Sequence, residues 1–198
     1  MPEEPTVDEA DAIAGMLIIV VGPSGAGKDS LMSIAAAHFG GHEKVHFARR
    51  AITRPHDAGG EAHDALSDEL FAQRHAEGGF AVSWQAHGLS YGIPMEMLDR
   101  VMTGQLVIAN GSRSALADIQ KAFARLRVVN ITASPEVLAA RLEARGRESR
   151  DDILRRLDRS TLTVSGNFDV VTIDNSAALA DAGQALIATL EQALSELR

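Results

Sequence analysis

Apolar residues along this chain come in short dense runs divided by polar, glycine-containing stretches. Met16 to Val21 is continuously apolar and β-branched from Ile18 to Val21, as expected for a parallel strand buried on both faces. Leu106 to Ala109, Arg127 to Thr132 and Phe168 to Ile173 read as further strands, and Phe80 to Trp84 as a short one. Lys44 to Thr53 mixes Val45, Phe47 and Ile52 with His46, Arg49 and Arg50, a strand delivering basic side chains at its end. Helices are expected between them: Lys28 to Phe39; Ser67 to His75, capped by Ser67 with Asp68 and Glu69 in its first turn; and Pro94 to Met102, ending near Gly104. Ser114 to Leu126 follows, then Glu136 to Arg145 behind Ser134 and Pro135, Asp151 to Ser165, and an amphipathic Ala177 to Leu197. Pro55 to Asp64 and Gly88 to Pro94 read as loop and turn. The alternation predicts an α/β fold with a parallel sheet of about five strands and helices on both faces.

Gly22 to Lys28, GPSGAGK, follows the first strand and opens the first helix, which fits the phosphate loop G-x-x-x-x-G-K. Gly25 and Gly27 permit positive φ and close backbone approach. Successive N–H groups of Gly22, Pro23, Ser24, Gly25, Ala26 and Gly27, proline excepted, would form an anion-binding concavity at a helix N-terminus, with the Lys28 ammonium reaching the β- and γ-phosphates of a nucleotide. The fold class is therefore a three-layer P-loop sandwich. Asp29 stands where Ser or Thr usually supplies a hydroxyl to Mg²⁺, and Ser30 follows it. A carboxylate is a better ligand for a hard divalent cation, so Asp29 and Ser30 are the expected metal residues. The bland alternative is a chance glycine-rich turn.

Length and composition narrow the picture. With 198 residues, 45% of them hydrophobic, the chain suits one domain over residues 16–198 after an acidic tail, 1–15. A formal net charge of -8 argues against a nucleic-acid scaffold, so an anionic substrate must be held by local arginines. The absence of cysteine excludes disulfides, thiolate metal sites and a cysteine nucleophile. The tail lacks an apolar core for a secretory signal, and no run approaches a membrane span. The expected location is the cytoplasm, with no membrane and no nucleic-acid partner. Asn130-Ile131-Thr132 matches a glycosylation sequon but lies in a strand of a chain read as cytoplasmic. His56, His63 and His87 each read, taken singly, as solvated loop histidines, and His42 and His46 do not share a helix face as a zinc pair would.

Asn110, Gly111, Ser112 and Arg113 follow a buried strand, where open α/β sheets bind ligands. Further on, Arg141 and Arg145 share a helix face, in a stretch that also carries Arg147, Arg150, Arg155, Arg156 and Arg159. Arg150 and Arg159 read as surface residues paired with acidic neighbours. Arg145, Arg147 and Arg156 read as arginines of a helical lid, about residues 141–160, that close on a transferring phosphoryl group.

GPSGAGKDSL, AITRP from Ala51, EAHDALS, SWQAHGLSYGIP, NGSR and RLEARGRES, in this order and at these spacings, resemble the ribose 1,5-bisphosphate phosphokinases of bacterial phosphonate utilisation, in the guanylate-kinase-like branch of the P-loop kinases. The resemblance spans residues 16–175, and Asp29 is part of its pattern. It implies transfer of the γ-phosphoryl of MgATP to the 1-phosphate of ribose 1,5-bisphosphate, giving 5-phosphoribosyl 1-diphosphate. It further implies ATP and Mg²⁺ on Gly22 to Ser30, lid arginines at Arg145, Arg147 and Arg156, and an acceptor-binding insertion over about 45–92. Arg54 and Tyr91 match positions that grip the acceptor phosphate in the guanylate-kinase branch, with His63 near a third.

Two departures bear on the acceptor. Val82-Ser83 precedes Trp84 where that branch carries an acidic guanine reader, and a second acidic reader is missing near Asn110. A buried guanine edge would then lack partners, whereas Ser83, Asn110 and Ser112 suit ribose hydroxyls and Arg113 a phosphate. A nucleoside monophosphate kinase and a non-catalytic guanylate-kinase-like binding module are the alternatives. The expected partner is a phosphorylated sugar, and a homodimer is the assembly entertained.

Overall fold

The computed structural model describes residues 15–55, 61–144 and 164–197. Met16–Val21 (β1) is wholly buried, and its side chains divide by parity. Ile18 and Val20 point into one apolar layer, Leu17, Ile19 and Val21 into another. That two-sided burial is why the run is continuously apolar, each large side chain contributing about 1.5–3 kcal/mol. β1 is the middle strand of a five-stranded sheet, in the order Val45–Phe47 (β2), Leu106–Asn110 (β7), β1, Leu126–Thr132 (β8), Asp169–Asp174 (β9), and every neighbouring pair is parallel. The expected parallel sheet of about five strands is what forms.

On one face lie Lys28–His38 (α1), Pro135–Glu143 (α5) and Leu179–Ser195 (α6). α6 buries Ala182, Gly183, Leu186, Ile187, Leu190 and Ala193, a stripe of helical period, and a Cβ on Gly183 would meet Ile34 of α1 at 3.1 Å. Met95–Met102 (α3) and Leu116–Ala122 (α4) cover the other face, with Phe123 fully buried between them and the sheet. Two caps form as expected: Ser67 Oγ accepts from Leu70 N at 3.2 Å to start Asp68–Ala76 (α2), and Ser134 Oγ accepts from Val137 N ahead of Pro135. Ser114 to Leu126 is shorter than expected, a single 3-10 turn at Arg113–Ala115 followed by α4.

A second sheet is inserted between α1 and α3, in the order Asp64–Ala65 (β4), Ala51–Ile52 (β3), Leu89–Pro94 (β6), Phe80–Ala86 (β5). Two expectations change here. Lys44 to Thr53 is not one strand. β2 ends at Phe47, Ala48 N still donates to Ile108 O of the main sheet, and the chain then crosses to β3 of the second. Arg49 and Arg50 sit at that crossing. Gly88 to Pro94 is not turn throughout but strand β6. His87 (φ 52) and Gly88 (φ 74) alone make the tight connection from β5, the positive-φ pair a two-residue hairpin requires. Gly92 lies inside β6 because a Cβ there would come within 2.5 Å of the Phe80 ring.

Candidate functional site

The loop after β1 runs past the carboxyl ends of the parallel strands. Gly25 (φ 87) and Gly27 (φ 88) adopt left-handed backbone conformations, and Gly27 immediately precedes α1. Neighbouring elements brace this loop. Asn175, 1% exposed after β9, donates Nδ2 to Ala26 O at 2.7 Å. Arg141 of α5 donates to Gly25 O at 3.3 Å and to Asn175 O at 2.9 Å. A side chain on Gly27 would strike the Asn175 amide at 2.5 Å, so loop and brace are mutually fitted.

Lys28 Nζ donates to Gly22 O (2.9 Å) and Pro23 O (3.3 Å). It faces a cleft of about 630 Å³ lined by Gly22, Pro23 and Ser24 of the loop, by Arg50 at the crossing between the sheets, by Trp84 and Tyr91 of the inserted sheet, and by Ser112 and Arg113 after β7. Burial draws the Lys28 ammonium below the ordinary lysine pKa. Asp29 opposes that shift, Arg50 adds to it, Glu61 opposes it and Arg113 adds to it. Burial also lowers Arg113. Three cations thus converge on one cleft, and among its described lining residues none is acidic.

A second cavity, about 370 Å³, is lined by Asp29, Ser30, Glu61 and Asn110 among others. Asn110, 3% exposed, donates Nδ2 to Asp29 Oδ1 at 3.0 Å and to Glu61 Oε2 at 2.5 Å. Its Oδ1 is buried without a partner among the described residues. Two carboxylates, an orphaned amide oxygen and the Ser30 hydroxyl therefore gather beside the phosphate loop. All are hard oxygen donors, the set a hydrated Mg²⁺ prefers. No cluster of three or more His, Cys, Asp or Glu that could hold a metal by themselves occurs among the described residues. The chemistry of this donor set fits a Mg²⁺ ion, and the glycine loop with Lys28 fits a polyphosphate.

Of the residues singled out from sequence, Gly22, Pro23, Ser24, Lys28, Tyr91, Ser112 and Arg113 line the cleft, while Asp29, Ser30 and Asn110 line the neighbouring cavity. Gly25, Ala26 and Gly27 form the turn between. Ser83 is placed elsewhere. Side chains alternate along β5, so Trp84 reaches the cleft while Ser83 Oγ lies 3.1 Å from His75 Nδ1 in a separate hollow. Arg54 lines neither cavity; its guanidinium lies 3.3 Å from His63 Nδ1. His63 is no solvated loop residue but 1% exposed, its Nδ1 2.9 Å from Glu61 O and its Nε2 3.1 Å from Arg54 O. The two thereby hold the backbone that presents Glu61. Arg145, Arg147, Arg156 and His56 lie outside the described residues, as do residues 1–14 of the tail.

Four residues of the site were given no part in it from the sequence. Arg50 is 8% exposed and donates Nε to Glu61 Oε1 at 3.0 Å, and Nη2 to the same oxygen. Its guanidinium lies 5.0 Å from the Tyr91 ring centroid and 5.5 Å from that of Trp84. Glu61, Arg141 and Asn175 complete the set. The Arg49-Arg50 doublet and Glu61 of EAHDALS were visible signals, but nothing local says that they meet.

The guanylate kinase family model matches residues 14–193. The chain is 61% identical over 176 residues to the ribose 1,5-bisphosphate phosphokinase PhnN of Agrobacterium fabrum, covering 89% of this chain and 96% of that one. It is 55% identical over 188 residues to its namesake from Rhizobium etli, covering 95% of both. Among solved structures, a guanylate kinase from Anaplasma phagocytophilum superimposes with a TM-score of 0.63 at 16% identity, covering 90% of this chain and 86% of that one, a likeness of fold. Among the described residues no helix is long and apolar enough to cross a membrane.

Proposed function

Because this chain belongs to the guanylate kinase family, and within it to the ribose 1,5-bisphosphate phosphokinases, we propose that it transfers the γ-phosphoryl of ATP to the 1-phosphate of ribose 1,5-bisphosphate. The products are 5-phosphoribosyl 1-diphosphate and ADP, and the reaction serves phosphonate utilisation in the cytoplasm. The observation that supports this acceptor is the cleft itself: Lys28, Arg50 and Arg113 line it, and no described lining residue is an acid that could read a guanine edge.

The acceptor is already an anionic oxygen, so no strong general base is required. Catalysis comes from alignment and charge neutralisation. Gly22 to Ser30 hold the ATP phosphates, and Lys28, largely withdrawn from solvent, acts on their charge where water screens it least. Asp29 and Ser30 hold Mg²⁺, with Asn110 orienting the Asp29 carboxylate. A magnesium ion held there would supply positive charge against the phosphates. Tyr91, Ser112 and Arg113 face the acceptor, and Arg145, Arg147 and Arg156 are the further arginines that the family resemblance assigns to the phosphates. Arg54 and His63 position the Glu61 segment from behind, and Asn175 and Arg141 keep the phosphate loop in register.

A coupled assay of ADP release against ribose 1,5-bisphosphate, GMP and AMP tests the reading. Turnover with the sugar bisphosphate alone is expected. Turnover of GMP without turnover of the sugar would replace this function with a nucleoside monophosphate kinase.

A further inference from the structure

Arg50 is held more tightly than a structural cation at the junction of two sheets needs to be. Glu61 takes its Nε and Nη2 through one oxygen, and Asn110 fixes the other oxygen of Glu61 at 2.5 Å. The guanidinium also rests against Trp84 and Tyr91, cross-strand partners whose rings lie 5.6 Å apart and within 9° of parallel. Carboxylate and rings together leave it little rotational freedom. Nη1 makes no hydrogen bond with any described residue, and Arg50 lines the same cleft as Lys28. An arginine locked on two sides with one edge open to a cationic cleft is a preorganised anion receptor.

The aromatic pair adds a second consideration. Two near-parallel rings in a cleft beside a phosphate loop offer a surface on which a planar base could stack. Arg50 lies against both rings and competes for that surface. Resting on the phosphokinase reading above, we propose that Arg50, clamped by Glu61 and seated on Trp84 and Tyr91, forms a subsite for the 5-phosphate of the acceptor, the end remote from the transferred group, and denies the aromatic pair to a nucleobase. The site thereby selects a doubly phosphorylated sugar by occupying the place of a base as well as by lacking residues to read one. Arg50 also raises the unfavourable charge around Lys28, a repulsion relieved when phosphates enter between the two cations.

The test compares ribose 1,5-bisphosphate with ribose 1-phosphate, which keeps the accepting group and lacks the remote phosphate. The variant is Arg50→Met combined with Glu61→Gln, so that no buried carboxylate is stranded. Its preference for the bisphosphate, as a ratio of kcat/KM values, should fall by about 10- to 100-fold, the worth of a charge-assisted contact, with the loss borne mainly by KM. GMP should produce a thermal shift in this variant that it does not produce in the parent. Arg50→Lys, which keeps the charge but not the fork, should fall between. If the paired variant does not fold by circular dichroism, Arg50→Lys carries the test, and a parental preference in it overturns the inference. An undiminished preference in a folded paired variant overturns it equally, even though wild-type turnover of the bisphosphate would then uphold the function. If the wild-type protein does not turn over the bisphosphate, the functional reading fails and the subsite falls with it.

Discussion

Removing the Asn175 side chain should loosen the phosphate loop without touching any atom that faces substrate. Its backbone contacts, N to Thr132 O at 2.8 Å and O from Arg141 Nη2 at 2.9 Å, survive in Asn175→Ala. What goes is the 2.7 Å bond from Nδ2 to Ala26 O, leaving a carbonyl of a fully buried residue unpaired. Stranding such a group costs about 1–3 kcal/mol. For a chain of this size each kcal/mol lowers Tm by about 2–4 °C, so the fall should lie between about 2 and 12 °C. Ala26 precedes Gly27 and Lys28, so an unanchored carbonyl also relaxes the N–H groups aimed at phosphate, and the rise in Tm on adding MgATP should shrink. Asn175→Asp sharpens the test by setting a carboxylate against that carbonyl. It should be worse than alanine near neutral pH and recover on acidification, because a buried carboxyl with no donor binds its proton more tightly folded than unfolded, so stability falls as pH rises. Differential scanning calorimetry with and without MgATP reads both effects. An Asn175→Ala protein with the parental Tm and the parental ATP shift would refute the bracing role.

Two further variants address the loop directly. Burial holds the Lys28 ammonium below its ordinary pKa. Between the lowered and the ordinary value the unfolded chain therefore binds the extra proton, and stability rises with pH across that window. Lys28→Met should accordingly keep the parental Tm or exceed it while turnover falls by about 10²- to 10³-fold; near-parental turnover would remove the loop assignment. In the wild type the same shift should make KM for ATP climb with pH before the ordinary lysine range is reached, and a profile flat up to that range contradicts it. Asp29→Ser should raise the Mg²⁺ concentration for half-maximal turnover several-fold, since a hydroxyl is the poorer ligand for a hard cation, and an unchanged titration rejects Asp29 as the metal ligand.

Local chemistry carried much of this protein. The six apolar residues of β1, the glycines and lysine that follow, the Ser134-Pro135 helix start and the stripe of α6 each bear their structural meaning within a few residues. The parallel sheet and the phosphate loop were therefore legible from the chain alone, and the ordered motifs from GPSGAGK to RLEARGRES placed it in its family. Where parity, reach or long-range pairing decides, the sequence was silent. Ser83 was expected in the site and Arg50 was not, because one residue of strand register sends Trp84 into the cleft and Ser83 to His75. Histidine near glycine reads as solvated, yet His63 is enclosed by carbonyls of Glu61 and Arg54. Asn110 is separated from Asp29 by 81 positions and from Glu61 by 49. Periodicity records which way a side chain faces along its own element; only the folding of one sheet against another determines what it meets there.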